Sequence, residues 1–207
     1  MENSLELFQK GGSVMYALLL CSIAVAVIGI ERFRFYRQAG RNAAAFIAQL
    51  PLLGEGDVNK AMETSGAENT APGTVAEAGF RAQLNGQDVQ LALDTAYTEV
   101  AMELRAHLNY LSTIVTLAPL LGLLGTISGM IESFSIFSVR AGEPLAITGG
   151  IGEALIATAT GLCVAIFALL VHTYFAQRLD EMLAALDKTS TAVISALHRK
   201  GGTSHAS

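Results

Sequence analysis

The stretch at 149–162, GGIGEALIATATGL, decides the fold, because it opens an apolar run long enough to cross a bilayer and carries an ionisable Glu153 inside it. A charged side chain well within such a run costs about 2.5–3.5 kcal/mol near the bilayer centre, so it must be paired, protonated or turned to water. Two readings of Glu153 stay open at this point. It is a functional carboxylate, or it hydrogen-bonds across a helix contact and holds a bundle together.

The chain around it has 207 residues, 52% of them hydrophobic and 15% charged, with a mean hydropathy of +0.46. That is the composition of an all-α membrane protein. The net charge of −5 comes with no basic stripe interleaved with aromatics, which argues against nucleic acid as a partner. Cys21 and Cys163 both lie in apolar runs, without the spacing of a disulfide framework or a zinc site. The chain has no metal-spaced His/Glu set, nucleotide-binding glycine loop or nucleophile elbow, so neither a cofactor nor an enzyme activity is indicated.

Three spans are expected, at 13–31, 108–137 and 146–175. The second contains APLLGLLGTISGM at 118–130, where Gly122, Gly125 and Gly129 line a helix with small residues that let backbones approach closely in lipid. Thr160 and Gly161 supply matching packing positions on the third. Pro119 removes one backbone donor, which allows a kink where neighbours compensate. Thr126 is the polar side chain near mid-membrane, Glu132 lies further out, and Phe134 and Phe137 mark the outer interface. Residues 138–145 form a short external turn, with Gly142 and Pro144 as breakers, that makes the second and third spans antiparallel.

The first span has no charge over 13–30 and is followed by Arg32, Arg34, Arg37 and Arg41, with Phe33, Phe35 and Tyr36 among them. By the positive-inside rule that end is cytoplasmic, so residues 1–12 lie outside and 176–207 inside. The cytoplasmic region at 32–107 reads as short helices at 43–50 and 58–64, a loop at 65–73, and a helical stripe of Val89, Leu93, Tyr97, Val100, Leu104, Leu108, Leu111 and Val115. The stripe predicts one long helix entering the second span. After the third span, Leu179, Met182, Leu183, Leu186, Val193, Ile194 and Leu197 predict a cytoplasmic helical extension, and the final GGTSHAS a disordered tail.

The motifs APLLGLLGTISGM and GIGEALIATATGL, joined by a short turn, resemble the signature of the MotA/TolQ/ExbB proton channel family, most closely its ExbB/TolQ branch. The resemblance covers the second and third spans. It implies a homopentamer in a bacterial inner membrane, enclosing an ExbD/TolR-like single-span partner and working with a TonB-like protein. The proton motive force would then drive transport or envelope work at the outer membrane. The family's pore threonines fall on Thr126 and Thr158 and its buried glutamate on Glu153, while its proton-accepting aspartate belongs to the partner. The chain departs from the family at Ser128, where many members have tryptophan, and at Ile166-Phe167-Ala168, where the middle residue is usually proline. His172-Thr173 likewise replaces a usual Tyr-Asn pair. A straighter inner half of the third span follows from the missing proline.

On an ideal helix Thr160 lies almost beneath Glu153, and Thr158 about 140° around. Thr158 is therefore read as facing the pore, and Glu153 as facing a neighbouring subunit or the pore's outer mouth, with Thr160 beside it. The competing class is a non-conducting scaffold, which explains the glycines but not a carboxylate together with mid-depth hydroxyls.

Overall fold

The computed structural model describes residues 12–139 and 144–204, with side chains left aside at 54–55, 136–139, 144–149 and 200–204. The described residues form seven helices and no strand. These are α1 (Val14–Ala39), α2 (Ala43–Glu55), α3 (Val58–Ala67), α4 (Ala71–Leu84), α5 (Val89–Arg105), α6 (Leu108–Val139) and α7 (Pro144–Ser204). The expected outer turn at 138–145 and the N-terminal segment 1–12 fall largely outside the described residues.

Three segments, Val14–Leu53, Val89–Ser135 and Gly150–Arg199, are long and apolar enough to cross a membrane, and less than a third of each apolar window is buried inside the chain. Leu20, Ile131, Leu155 and Leu170 are each more than 60% exposed. Apolar surface on that scale requires lipid or other subunits around it.

The chain divides into two compact units, Met1–Glu31 with His107–Tyr174, and Arg32–Ala106 with Phe175–Ser207. The first holds the three spans. On α6 its buried positions are Leu108, Leu111, Ile114, Ala118, Gly122, Gly125, Gly129 and Ser133, a repeat close to 3.6 residues. From Ala118 outward along α6 the facing residues of α7 are Gly161, Thr158, Ala157, Ala154 and Gly150, and Val164, Ala165 and Ala168 of α7 are buried as well. Where α6 begins, His107 Nδ1 pairs with Glu31 Oε2 at 2.8 Å.

The second unit is a bundle of α2–α5 with the ends of α1 and α7. Its core is built from Phe46 and Leu50 of α2, Val75 and Phe80 of α4, Leu93, Val100 and Leu104 of α5, and Met182, Leu186, Val193 and Ala196 of α7. The α7 series recurs every three or four residues, as its amphipathic pattern predicts. Side-chain caps start the short helices: Asp57 accepts from Asn59 N, Thr70 from Gly73 N and Asp88 from Leu91 N. Gly86, at φ 65, ends α4 in a left-handed turn where Gln87 N reaches back to the Ala82 carbonyl at 2.9 Å.

Several expectations are corrected. The loop at 65–73 shrinks to Glu68–Thr70, because Ser65, Gly66 and Ala67 complete α3 while Ala71, Pro72 and Gly73 open α4. Proline and glycine were read there as breakers, but in a first turn the missing N–H costs nothing. The long helix predicted from Val89 is interrupted at Ala106–His107. α7 continues to Ser204, through the glycines read as the start of a disordered tail. α6 and α7 run without interruption through Pro119 and through Ile166-Phe167-Ala168.

Arg32 and Tyr36, expected among the interfacial charges and aromatics, are instead buried at 4% and 7% exposure. The Arg32 guanidinium donates to the Glu103 carbonyl at 3.2 Å and lies 4.7 Å from the Phe35 ring centre. The Tyr36 hydroxyl donates to the Leu104 carbonyl at 2.7 Å, and its ring stacks on Phe175 at 5.7 Å. Together they satisfy two carbonyls at the C-terminus of α5, where a cation also suits the helix dipole.

Burial pushes the Tyr36 phenol up from 10.0 to about 12, with the Arg32 charge opposing and Asp180 adding to the rise. A phenol harder to ionise when folded contributes stability that is intact below pH 10 and lost as pH rises towards 12. The melting temperature of the chain is expected to fall across that window more steeply in wild type than in Tyr36→Phe. Parallel curves would remove Tyr36 as the cause.

Candidate functional site

The site is built on the contact between the second and third spans, where backbone meets backbone. A β-carbon on Gly161 would lie 2.6 Å from the Ala118 carbonyl oxygen, and one on Gly122 would lie 3.1 Å from Thr158 Cα. Gly125 meets Ala157, and Gly129 meets Gly150 and Ala154. These pairs run in opposite directions along the two helices, so the spans are antiparallel and in close contact from Ala118 to Gly129 of α6 and Gly150 to Gly161 of α7. Gly125 also lies near Val14 of α1.

This register brings Thr126 level with about residue 155, so Thr158 lies one turn away along the axis, towards Leu108 of α6, about 5 Å at 1.5 Å per residue. The two hydroxyls are held differently. Thr126 Oγ1 donates to the Leu123 carbonyl of its own helix at 2.6 Å, as Thr160 does to Ile156 at 2.8 Å. Thr158 Oγ1 instead crosses to the Gly122 carbonyl of α6 at 3.2 Å. That reach exists because Gly122 has no side chain in the way. Each hydroxyl has then committed its one proton and keeps acceptor lone pairs for water.

Glu153 is half-buried and its carboxyl group lies against Gly12, just before α1, where the backbone turns to φ 69. Among the described residues no hydrogen bond or ion pair to this carboxylate is formed. The sequence reading turned it towards a neighbouring subunit or the pore's outer mouth; within its own chain it meets the residues just before the first span. Glu153 and Thr158 therefore contact different segments, the residue Gly12 ahead of α1 and Gly122 of α6. The described residues contain no cluster of three or more His, Cys, Asp or Glu able to hold a metal.

Ser133 was missed in the sequence. It is 3% exposed, donates to the Gly129 carbonyl at 2.8 Å and adjoins Gly150. Its position seven residues after Thr126, on the glycine-lined face, was the available signal.

Residues 67–188 match the model of the MotA/TolQ/ExbB proton channel family, a segment holding both motifs, and the chain belongs to that family. Its relatives place it in the ExbB/TolQ branch. It is 36% identical over 173 residues to an ExbB-like protein of Synechocystis sp., covering 81% of this chain and 68% of that protein. With the TolQ protein of the Tol-Pal system of Pseudomonas aeruginosa it shares 30% identity over 179 residues, 85% of this chain and 72% of TolQ. The biopolymer transport protein ExbB of Salmonella typhimurium matches at 36% over 87 residues, 42% of this chain and 36% of that protein.

Proposed function

We propose that this chain is the wall-forming subunit of an inner-membrane motor that conducts protons and passes the energy of the proton motive force to transport or envelope work. In this reading it assembles as a homopentamer around ExbD/TolR-like single-span helices. The N-terminus is periplasmic and the C-terminus cytoplasmic. Exposed Arg34, Arg37 and Arg41 after the first span support that orientation.

The observation that carries the reading is the pair of hydroxyls on Thr126 and Thr158, about one helical turn apart on two paired, predominantly apolar spans. Rings of such hydroxyls, repeated around an axis, offer acceptors to a short water file, while apolar neighbours deny larger hydrated ions a path. A partner carboxylate at that depth would be ionised when it meets the hydroxyls and their water, and neutral when it passes the apolar wall. Glu153, near the outer end and without a partner among the described residues, would sit where protons arrive.

The test is proton influx into liposomes containing the chain and its single-span partner under an imposed pH gradient. Thr158→Val keeps the shape of the side chain and removes the hydroxyl. It is expected to cut influx about tenfold, the equivalent of one lost hydrogen bond to water in the path. Thr158→Ser restores the hydroxyl and should retain most of the flux. Partner-dependent influx that is unchanged in Thr158→Val removes this residue from the path. No influx from a correctly assembled wild type overturns conduction and leaves the scaffold.

A further inference from the structure

α6 turns one face away from the rest of its own chain, and that face changes character at Pro119. On an ideal helix Asn109, Ser112, Thr113 and Thr116 share about 100° of arc, opposite the buried positions Leu111, Ile114 and Ala118. All four are polar and exposed. Beyond Pro119 the same face carries Leu120, Leu123, Ile127, Ile131 and Phe134, each more than half exposed.

The polar half does not lie beyond the apolar part of the spans. Glu31, at the end of the first apolar run, pairs with His107 at the start of α6, and Gly29 meets Val171 of α7. Counting back from those contacts, Ile23, Val27 and Ile30 of α1 and Ile166 and Leu170 of α7 lie at the depth of residues 108–116. Each is more than half exposed. Two of the three spans thus present a lipid-type surface at a level where α6 presents amide and hydroxyl groups.

Those groups are rich in acceptors. Thr113 Oγ1 donates to the Asn109 carbonyl and Thr116 Oγ1 to the Thr113 carbonyl, both at 2.9 Å, so each hydroxyl has spent its proton on its own helix and keeps lone pairs. Pro119 has no N–H, which leaves the Val115 carbonyl in the same stretch without its helical donor. Lipid offers no donor, and the apolar faces of α1 or α7 from a second copy offer none either. Water does. We propose that this face of α6 lines a water-filled vestibule that opens where α6 begins and ends at Pro119. The proposal rests on the assembly put forward above and adds the route by which water reaches its threonines. From Thr116 to the level of Thr158, beside Gly122, is about 9 Å at 1.5 Å per residue. The narrow water file then has only that distance to cover before it meets Thr158.

Single cysteines test it in the full chain, assembled with its single-span partner in lipid nanodiscs, in a background where Cys21 and Cys163 are alanine. A permanently charged methanethiosulfonate reacts with thiols that water reaches, and apolar surroundings hold a thiol in its unreactive protonated form. Ser112→Cys, Thr113→Cys and Thr116→Cys are expected to react at least about tenfold faster than Val27→Cys and Leu170→Cys, at the same depth on the other spans. The same margin is expected over Ile127→Cys, on the same face beyond Pro119. Thr113→Cys and Thr116→Cys reacting no faster than Val27→Cys overturns the vestibule, whether lipid, a neighbouring copy or the partner covers the face. Equal reaction at Thr116→Cys and Ile127→Cys overturns its end at Pro119. Ser112→Cys exchanges only oxygen for sulfur, so it decides alone if the threonine variants do not assemble. Proton influx without labelling removes the vestibule and leaves conduction; labelling without influx removes conduction and leaves the vestibule.

Discussion

Gly161→Ala is expected to destabilise the paired second and third spans by about 3 kcal/mol, the upper range for overpacking a site that cannot yield. The added methyl would meet the Ala118 carbonyl oxygen at 2.6 Å and Gly122 Cα at 3.0 Å. Both are backbone atoms of α6, so no rotamer change relieves the clash and the helices must move apart. Moving them apart also lengthens the bond from Thr158 to Gly122, so the loss of packing and of hydroxyl geometry come together. Gly152→Ala is the matched control on the same helix, because a β-carbon there meets nothing within 4 Å. It should stabilise α7 by about 0.5–1 kcal/mol, through the smaller entropy loss of alanine. Thermal unfolding of both variants in detergent measures the difference. Equal melting temperatures would mean that the close approach of α6 and α7 does not exist.

Phe80→Ala should cost the helical bundle about 3–5 kcal/mol, the usual range for removing a fully buried aromatic ring. Phe80 is 0% exposed on α4, beside Gly79, whose bare Cα admits Leu93 of α5 and Val193 of α7. The cavity would open in the middle of that bundle. Amide exchange should show α4 and α5 losing protection together, while amides of the spans keep theirs. A loss below about 1 kcal/mol would show that the bundle collapses around the gap or draws its stability from elsewhere.

The spans were legible in the sequence because hydropathy is a local property. Stretches such as 13–30, without a charge, leave few alternatives. The glycine positions at 122, 125 and 129 were legible for the same reason, since small residues at helical spacing have one obvious use in lipid. α4 was not legible. Its buried face is Ala71, Val75, Ala76, Gly79, Phe80 and Ala82, mostly residues too small to make a hydrophobic stripe, and it opens on Pro72 and Gly73. The break at Ala106–His107 could not be read locally, because residues 105–109 contain neither glycine nor proline. Glu153 was found by its cost in a membrane, but its neighbour Gly12 carries no such signal.

The first span runs parallel to the third, with Gly12 level with Glu153 and Gly29 level with Val171. Those partners are separated by roughly 140 residues of synthesis, about 10 s at ordinary elongation rates. The second and third spans follow each other closely and pair antiparallel, so they can leave the insertion machinery as a hairpin. The first must wait in the bilayer alone, which an uncharged apolar helix can do and a marginal one could not. Of these three helices, the one made earliest is therefore the last to dock.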